Sequence, residues 1–151
     1  MSKGRDKLAY CLATWFYVGR APLLPGTCGS LAAFPLIWLI KWAGGGTVSI
    51  LAGAAIITAV GWLATRQVLK TAPSSDPGWV VVDEVAGQMI AACTGAWLAA
   101  FVLFRAFDML KPWPVGWLDR KVKGATGVMA DDVAAGAMAL AVLIAARLLA
   151  N

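Results

Sequence analysis

The 151-residue chain contains no histidine. Ser-His-Asp and Cys-His nucleophilic catalysis are therefore excluded within it. So are His-ligated zinc hydrolases and histidine phosphoenzymes. Cysteine is scarce, and Cys11, Cys28 and Cys93 are too irregularly spaced for a disulfide framework. A cysteine phosphatase places an arginine six residues after its nucleophile, but Tyr17, Phe34 and Ala99 stand at those positions. The cysteines read as small apolar fillers. Charge is the third shortage: 14% of residues are charged, against about 25% in an ordinary globular domain. The 13 basic residues are dispersed, match no nucleic-acid module and line no single face, so no nucleic-acid partner is expected.

Apolar residues fill the space that charge leaves. They make up 60% of the chain, and mean hydropathy is +0.74. A soluble domain of this length has too much surface for its volume to bury so much apolar area. Disorder is excluded by the same abundance. The bilayer is the expected solvent for much of the chain, and the length allows a single domain over residues 1–151.

Residues 8–18 follow the basic Lys3, Arg5 and Lys7 and suit an amphipathic helix lying at an interface. Residues 20–30 form a Pro- and Gly-rich loop. Residues 31–42 are apolar but short, and Gly44-Gly45-Gly46 is a turn. Residues 47–65 are uncharged and long enough to span a bilayer. The polar segment 66–77 ends in Pro-Ser-Ser-Asp-Pro, a loop signal. Residues 85–104 are again uncharged; they suit one span, or two half-depth helices of about 10 residues folding back at Thr94-Gly95. In the polar stretch 105–132, Val115, Leu118 and Val122 recur at helical spacing near Trp113 and Trp117, as in an interfacial segment. Residues 133–149 read as the last apolar helix.

Only eight residues are acidic, and five of them fall into three groups: Asp83-Glu84, Asp108 and Asp131-Asp132. Each group abuts an apolar helix, where a carboxylate is costly and points to function. Gly87 lies one turn after Asp83, and Gly136 one turn after Asp132. A glycine at that spacing lets a second helix approach the face that carries the acid. Two such helices packed together would converge their carboxylates. First-turn caps are the alternative for the same acids. An oxygen-only donor set suits Mg²⁺, which takes a few carboxylates and keeps sites for water and phosphate.

Arg105, Asp108 and Lys111 share one helical face, and Pro112 ends that helix. They suit either a surface ion-pair ladder or a carboxylate beside two cations for phosphate oxygens. Residues 24–30, Leu-Pro-Gly-Thr-Cys-Gly-Ser, lead into a helix, with Thr27 and Ser30 as possible hydroxyl donors to an anion. Ser30 as an N-cap is the plainer alternative. The glycines are not followed by Lys-Ser/Thr, so this is no Walker loop.

Four motifs in order resemble the phosphatidylglycerophosphatase A family: Pro-Gly-Thr-x-Gly-Ser at 25–30, Asp-Pro-x-x-Val-Val-x-Asp-Glu-x-x-Gly at 76–87, Phe-Arg-x-Phe-Asp-x-x-Lys-Pro-Trp-Pro at 104–114, and Gly-Val-Met-x-Asp-Asp-Val-x-Ala-Gly at 127–136. The resemblance covers most of the chain, from about Gly19 to Gly136. It implies an all-helical, Mg²⁺-dependent bacterial inner-membrane phosphatase that converts phosphatidylglycerophosphate to phosphatidylglycerol. It also implies functional roles for Asp83, Glu84, Asp108, Lys111, Asp131 and Asp132, and secondarily for Thr27, Ser30 and Arg105. On this basis Asp83, Asp108, Lys111 and Asp132 are the expected catalytic residues. The five carboxylates are the expected metal set. Thr27, Ser30, Arg105 and Lys111 are the expected substrate contacts.

The acid groups must meet on one side of the membrane. A single span over 85–104 would separate Asp83 from Asp108, so a hairpin near Gly95 is expected, within a multi-helical, membrane-embedded all-α bundle. That arrangement puts the Arg66 and Arg105–Lys123 clusters on the same, cytoplasmic side. The competing readings are a Mg²⁺-dependent phospholipid-headgroup transferase and a membrane assembly subunit whose acids are only caps and ion pairs. Oligomeric state has no signature in the sequence.

Overall fold

A computed structural model describes residues 3–150 except Ser75. The side chain of Lys3, from the N-terminal basic group, also lies outside the described residues. All regular structure among the described residues is helical: α1 (Lys3–Ala13), a 3-10 turn (Val18–Arg20), α2 (Pro25–Trp42), α3 (Thr47–Val68), α4 (Val82–Ala92), α5 (Trp97–Leu110), α6 (Val115–Lys121) and α7 (Gly124–Leu149).

The axis of the bundle is α4. Nine of its 11 residues are buried, including Val85, Gly87, Gln88 and Met89, and α2, α3, α5 and α7 all pack around it. Its closest neighbour is α7, and glycine sets that closeness. A Cβ on Gly136 would fall on the Gly87 carbonyl, and a Cβ on Gly87 would fall on the Asp132 carbonyl and the Phe104 ring. The two Asp-to-Gly spacings in the sequence thus mark one helix crossing, as expected.

The expected break in residues 85–104 is present. α4 ends at Ala92, Gly95 has φ 97°, and α5 begins at Trp97. At about 1.5 Å per residue, the 11 residues of α4 and 14 of α5 make helices of roughly 16 and 21 Å. Neither reaches across a hydrocarbon core of about 30 Å. At the far end of α5, Lys111 takes a left-handed conformation (φ 47°) and Pro112 prevents continuation.

Three boundaries differ from the sequence reading. α1 begins at Lys3 and stops at Ala13 rather than running over 8–18. Thr14 turns its hydroxyl back to the Tyr10 carbonyl (2.8 Å) and receives the Tyr17 N–H (3.1 Å), while Trp15, Phe16 and Tyr17 all have positive φ. α2 begins at Pro25, so most of the expected glycine loop is helix. Pro25 at the first helical position suits that start. α7 begins at Gly124, two turns before residue 133. Its first turns pack against neighbours: Gly127 sits against the Val122 carbonyl, and Val128, Met129, Asp131 and Asp132 are buried.

Two helices, α3 and α7, are long and apolar enough to cross a membrane. Only 22% of each apolar window is buried, so neither behaves as the core helix of a soluble protein. Large apolar side chains face outward along the bundle, among them Trp38 and Trp42 on α2, Val48, Ile56 and Leu63 on α3, Leu98 and Val102 on α5, and Ile144 and Leu148 on α7. An apolar exterior of this extent suits a lipid surrounding. The fold is a helical, membrane-associated bundle.

Candidate active site

The end of the bundle where α4 and α7 begin their crossing holds a polar cavity of about 260 Å³. Seven of the chain's eight acidic residues line it: Asp76, Asp83, Glu84, Asp108, Asp119, Asp131 and Asp132. Each element delivers its share. α4 brings Asp83 and Glu84 in its first turn, α5 brings Asp108 in its last, and α7 brings Asp131 and Asp132 from its third turn.

The tightest group is Asp83, Glu84 and Asp132, each offering a carboxylate oxygen within 4.8 Å of the others. Asp83 and Asp132 are almost fully buried, and the buried Glu84 Oε2 has no hydrogen-bond partner. Burial pushes the Asp83 carboxyl well above the ordinary carboxylate range, and the charges of Glu84 and Asp132 push it further. Burial likewise raises Glu84, partly opposed by its hydrogen bond to Asp83. Three converging carboxylates with an unsatisfied oxygen fit a hard divalent cation, which would offset their desolvation and mutual repulsion. Gly26 at the start of α2 makes room for this group: a Cβ there would fall on Glu84 Oε1 and lie 3.2 Å from Arg105 Nη1.

The two acid doublets are built alike. Asp83 Oδ1 accepts the Glu84 backbone N–H (3.0 Å), and Asp131 Oδ1 accepts that of Asp132 (3.2 Å). The rest of the cavity is organised by ion pairs. Arg105 Nη1 bonds Asp108 Oδ2. Lys111 Nζ bridges Asp119 Oδ1 (2.6 Å) and Asp131 Oδ2 (3.0 Å). Partial burial alone would lower the Lys111 pKa, but hydrogen bonds and charge from Asp119 and Asp131 outweigh it and raise it. Lys111 is therefore a fixed cation at neutral pH.

The structure distributes the predicted residues unevenly. It gathers Asp83, Glu84 and Asp132, and lines the same cavity with Asp108, Lys111 and Asp131. Asp131 is turned to Lys111 and stands apart from the three-carboxylate group. Ser30 is no N-cap: Leu24 holds that position, and the buried Ser30 hydroxyl donates to the Gly26 carbonyl (3.0 Å). Neither Thr27 nor Ser30 lines the cavity, and the motif's nearest contribution is Gly26. The acids of α7 are not first-turn caps, because the helix starts at Gly124. Sequence reasoning missed Asp119, whose tie to Lys111 spans the turn between α5 and α6. It also left Asp76 unassigned, although that residue opens the second motif.

The fold and cavity together define a helical membrane-associated protein with an acid- and cation-lined site at one end of an apolar bundle. The chain belongs to the phosphatidylglycerophosphatase A family, whose model matches residues 11–147. It is 37% identical to phosphatidylglycerophosphatase A of Escherichia coli, over 95% of this chain and 87% of that protein. It is 34% identical to the Haemophilus influenzae protein of the same name, over 90% and 86%. A Bacteroides thetaiotaomicron protein provisionally named a phosphatidylinositol-3-phosphatase is 34% identical, over 93% and 94%. No solved structure matches the chain significantly.

Proposed function

We propose that this chain, acting as one domain, hydrolyses the terminal phosphate monoester of phosphatidylglycerophosphate, releasing phosphatidylglycerol and phosphate. Family membership together with the convergence of Asp83, Glu84 and Asp132 carries this reading. Asp83, Glu84 and Asp132 would hold Mg²⁺, which supplies Lewis-acid polarisation of phosphoryl oxygens when bound. Asp108, fixed by Arg105, accepts a proton from the attacking water. The new bond joins water oxygen to phosphorus, the ester P–O bond breaks, and the leaving glycerol oxygen takes up the proton that Asp108 received, which returns Asp108 to its carboxylate form. Lys111, held by Asp119 and Asp131, compensates charge growing on the phosphoryl oxygens.

The site reads as cytoplasmic on a multi-pass bacterial inner-membrane protein. Of the 12 cations with described side chains, ten belong to segments at the cavity end, and only Lys41 and Arg147 belong to the other. Such asymmetry marks the cytoplasmic side. Exposed Trp113 and Trp117 beside α6 suit the headgroup level there.

The test is phosphate release from phosphatidylglycerophosphate by the full chain in neutral micelles, with Mg²⁺ and with chelator. Activity that needs Mg²⁺ supports the reading, and no release sinks it. Phosphatidylinositol 3-phosphate is the informative second substrate, given the Bacteroides relative. A headgroup transferase would instead form product only when an acceptor alcohol is supplied.

A further inference from the structure

The cations at the site are unevenly engaged. Arg105, which does not line the cavity, is held by Asp108, and Lys111, which does, by Asp119 and Asp131. Beside Lys111, two further cations line the cavity: Arg120 near the end of α6 and Lys123 immediately before α7. Among the described residues neither forms an ion pair with a carboxylate. Lys123 Nζ donates to the Asp119 backbone carbonyl (3.2 Å), which positions the ammonium without neutralising it. Arg120 Nη1 lies 3.3 Å from where a Cβ on Gly116 would stand, so that glycine leaves space for the guanidinium. Both residues are exposed at the cavity rim. An anionic headgroup entering a cavity lined by seven acids needs cations not already committed to protein carboxylates, and these two meet that need.

We propose that Arg120 and Lys123 form a second anion subsite that binds the phosphodiester of the lipid headgroup while the terminal monoester lies at the Asp83–Glu84–Asp132 end. This rests on the function proposed above. A phosphatidylglycerophosphate headgroup carries these two phosphates one glycerol apart. The subsite would make the diester a specificity element, favouring this substrate over a lipid whose only phosphate is the monoester. Arg120 supplies a planar fork for two phosphate oxygens, and Lys123 a point charge.

The test is the full-chain double variant Arg120→Gln/Lys123→Gln, assayed in neutral detergent micelles. Phosphatidylglycerol probes the diester subsite alone, and inorganic phosphate probes the monoester end alone. The expected result is that the phosphatidylglycerol inhibition constant rises about tenfold while that of phosphate moves less than about twofold. KM for phosphatidylglycerophosphate should rise about tenfold with kcat nearly constant, and Arg120→Lys should restore part of the loss. Equal weakening of both inhibitors, or no change in either, overturns the proposal. So does a wild-type protein that phosphatidylglycerol does not inhibit. Failure of the parent reading looks different, because the wild type would then release no phosphate from phosphatidylglycerophosphate at all.

Discussion

The two ends of the bundle are chemically opposite. One end holds the cavity, lined by seven of the eight acids, and three ion pairs among the described residues. At the other end α4 turns into α5 through Gly95, Thr47 Oγ1 donates to the Cys93 carbonyl (3.3 Å), and Lys41 lies over the Trp97 ring. Charge is expensive inside an apolar bundle, so a chain that needs a charged site concentrates it at one end, where ions and water can reach. The α4–α5 hairpin makes this possible. It returns the chain to the end it left, so Asp83 and Asp108 share a cavity instead of lying a bilayer apart.

Breaking the charged end should have the largest effect. Asp83→Asn and Asp132→Asn should each lower phosphate release by at least about 100-fold. The metal-free proteins should melt no lower than wild type, since each change removes a buried, mutually repelling carboxylate. Near-normal turnover in either would remove that residue from the site. Next is the crossing that joins the acids. Gly136→Ala puts a methyl on the Gly87 carbonyl and should cost about 1–3 kcal/mol in thermal unfolding, with weakened Mg²⁺ affinity; an unchanged melt would mean that α4 and α7 need not touch.

Stability should also respond to pH in a signed way. The folded-state pKa values of Asp83 and Glu84 are raised by burial, so the folded protein holds protons that the unfolded chain releases. Without metal, stability is then greatest at low pH and falls as pH rises above about 4, the ordinary carboxylate value, towards the raised folded values. Mg²⁺ should stabilise more at pH 8 than at pH 5, because it binds the ionised carboxylates; melting curves with and without Mg²⁺ check this. A smaller effect is expected from Asp119→Asn, which leaves Lys111 only Asp131: kcat should fall about tenfold, measurable by phosphate release. The smallest comes from the apolar end. Lys41→Gln should change turnover by less than about twofold, and a larger loss would mean that the two ends are coupled.

Much of this contrast is legible in the sequence, for physical reasons. A carboxylate in an apolar chain is costly, so its position carries information, and the doublets at 83–84 and 131–132 mark the site. A glycine one turn beyond an acid says where a second helix comes close. The helix starts were less legible. Gly124 to Asp132 reads as the end of a polar stretch ahead of an apolar helix starting at 133, yet packing against α4 and α6 makes it part of that helix. Ser30 reads as an anion contact from its motif, but a hydroxyl inside a helix finds the preceding turn's carbonyl first. Asp119 stands alone in the sequence and gains meaning only when α6 folds back and sets it 2.6 Å from Lys111.

By itself the sequence left residues 85–104 open between one span and a hairpin, but it determined the solvent, the acid groups and the close approach at Gly87 and Gly136. These follow from local chemistry: hydropathy, the scarcity of charge, and the one residue type without a Cβ. Only the tertiary structure decided which carboxylates converge, which are tied to a cation, and which cations remain for a ligand. Those outcomes depend on distances between side chains on separate helices, and such distances exist only after the helices pack.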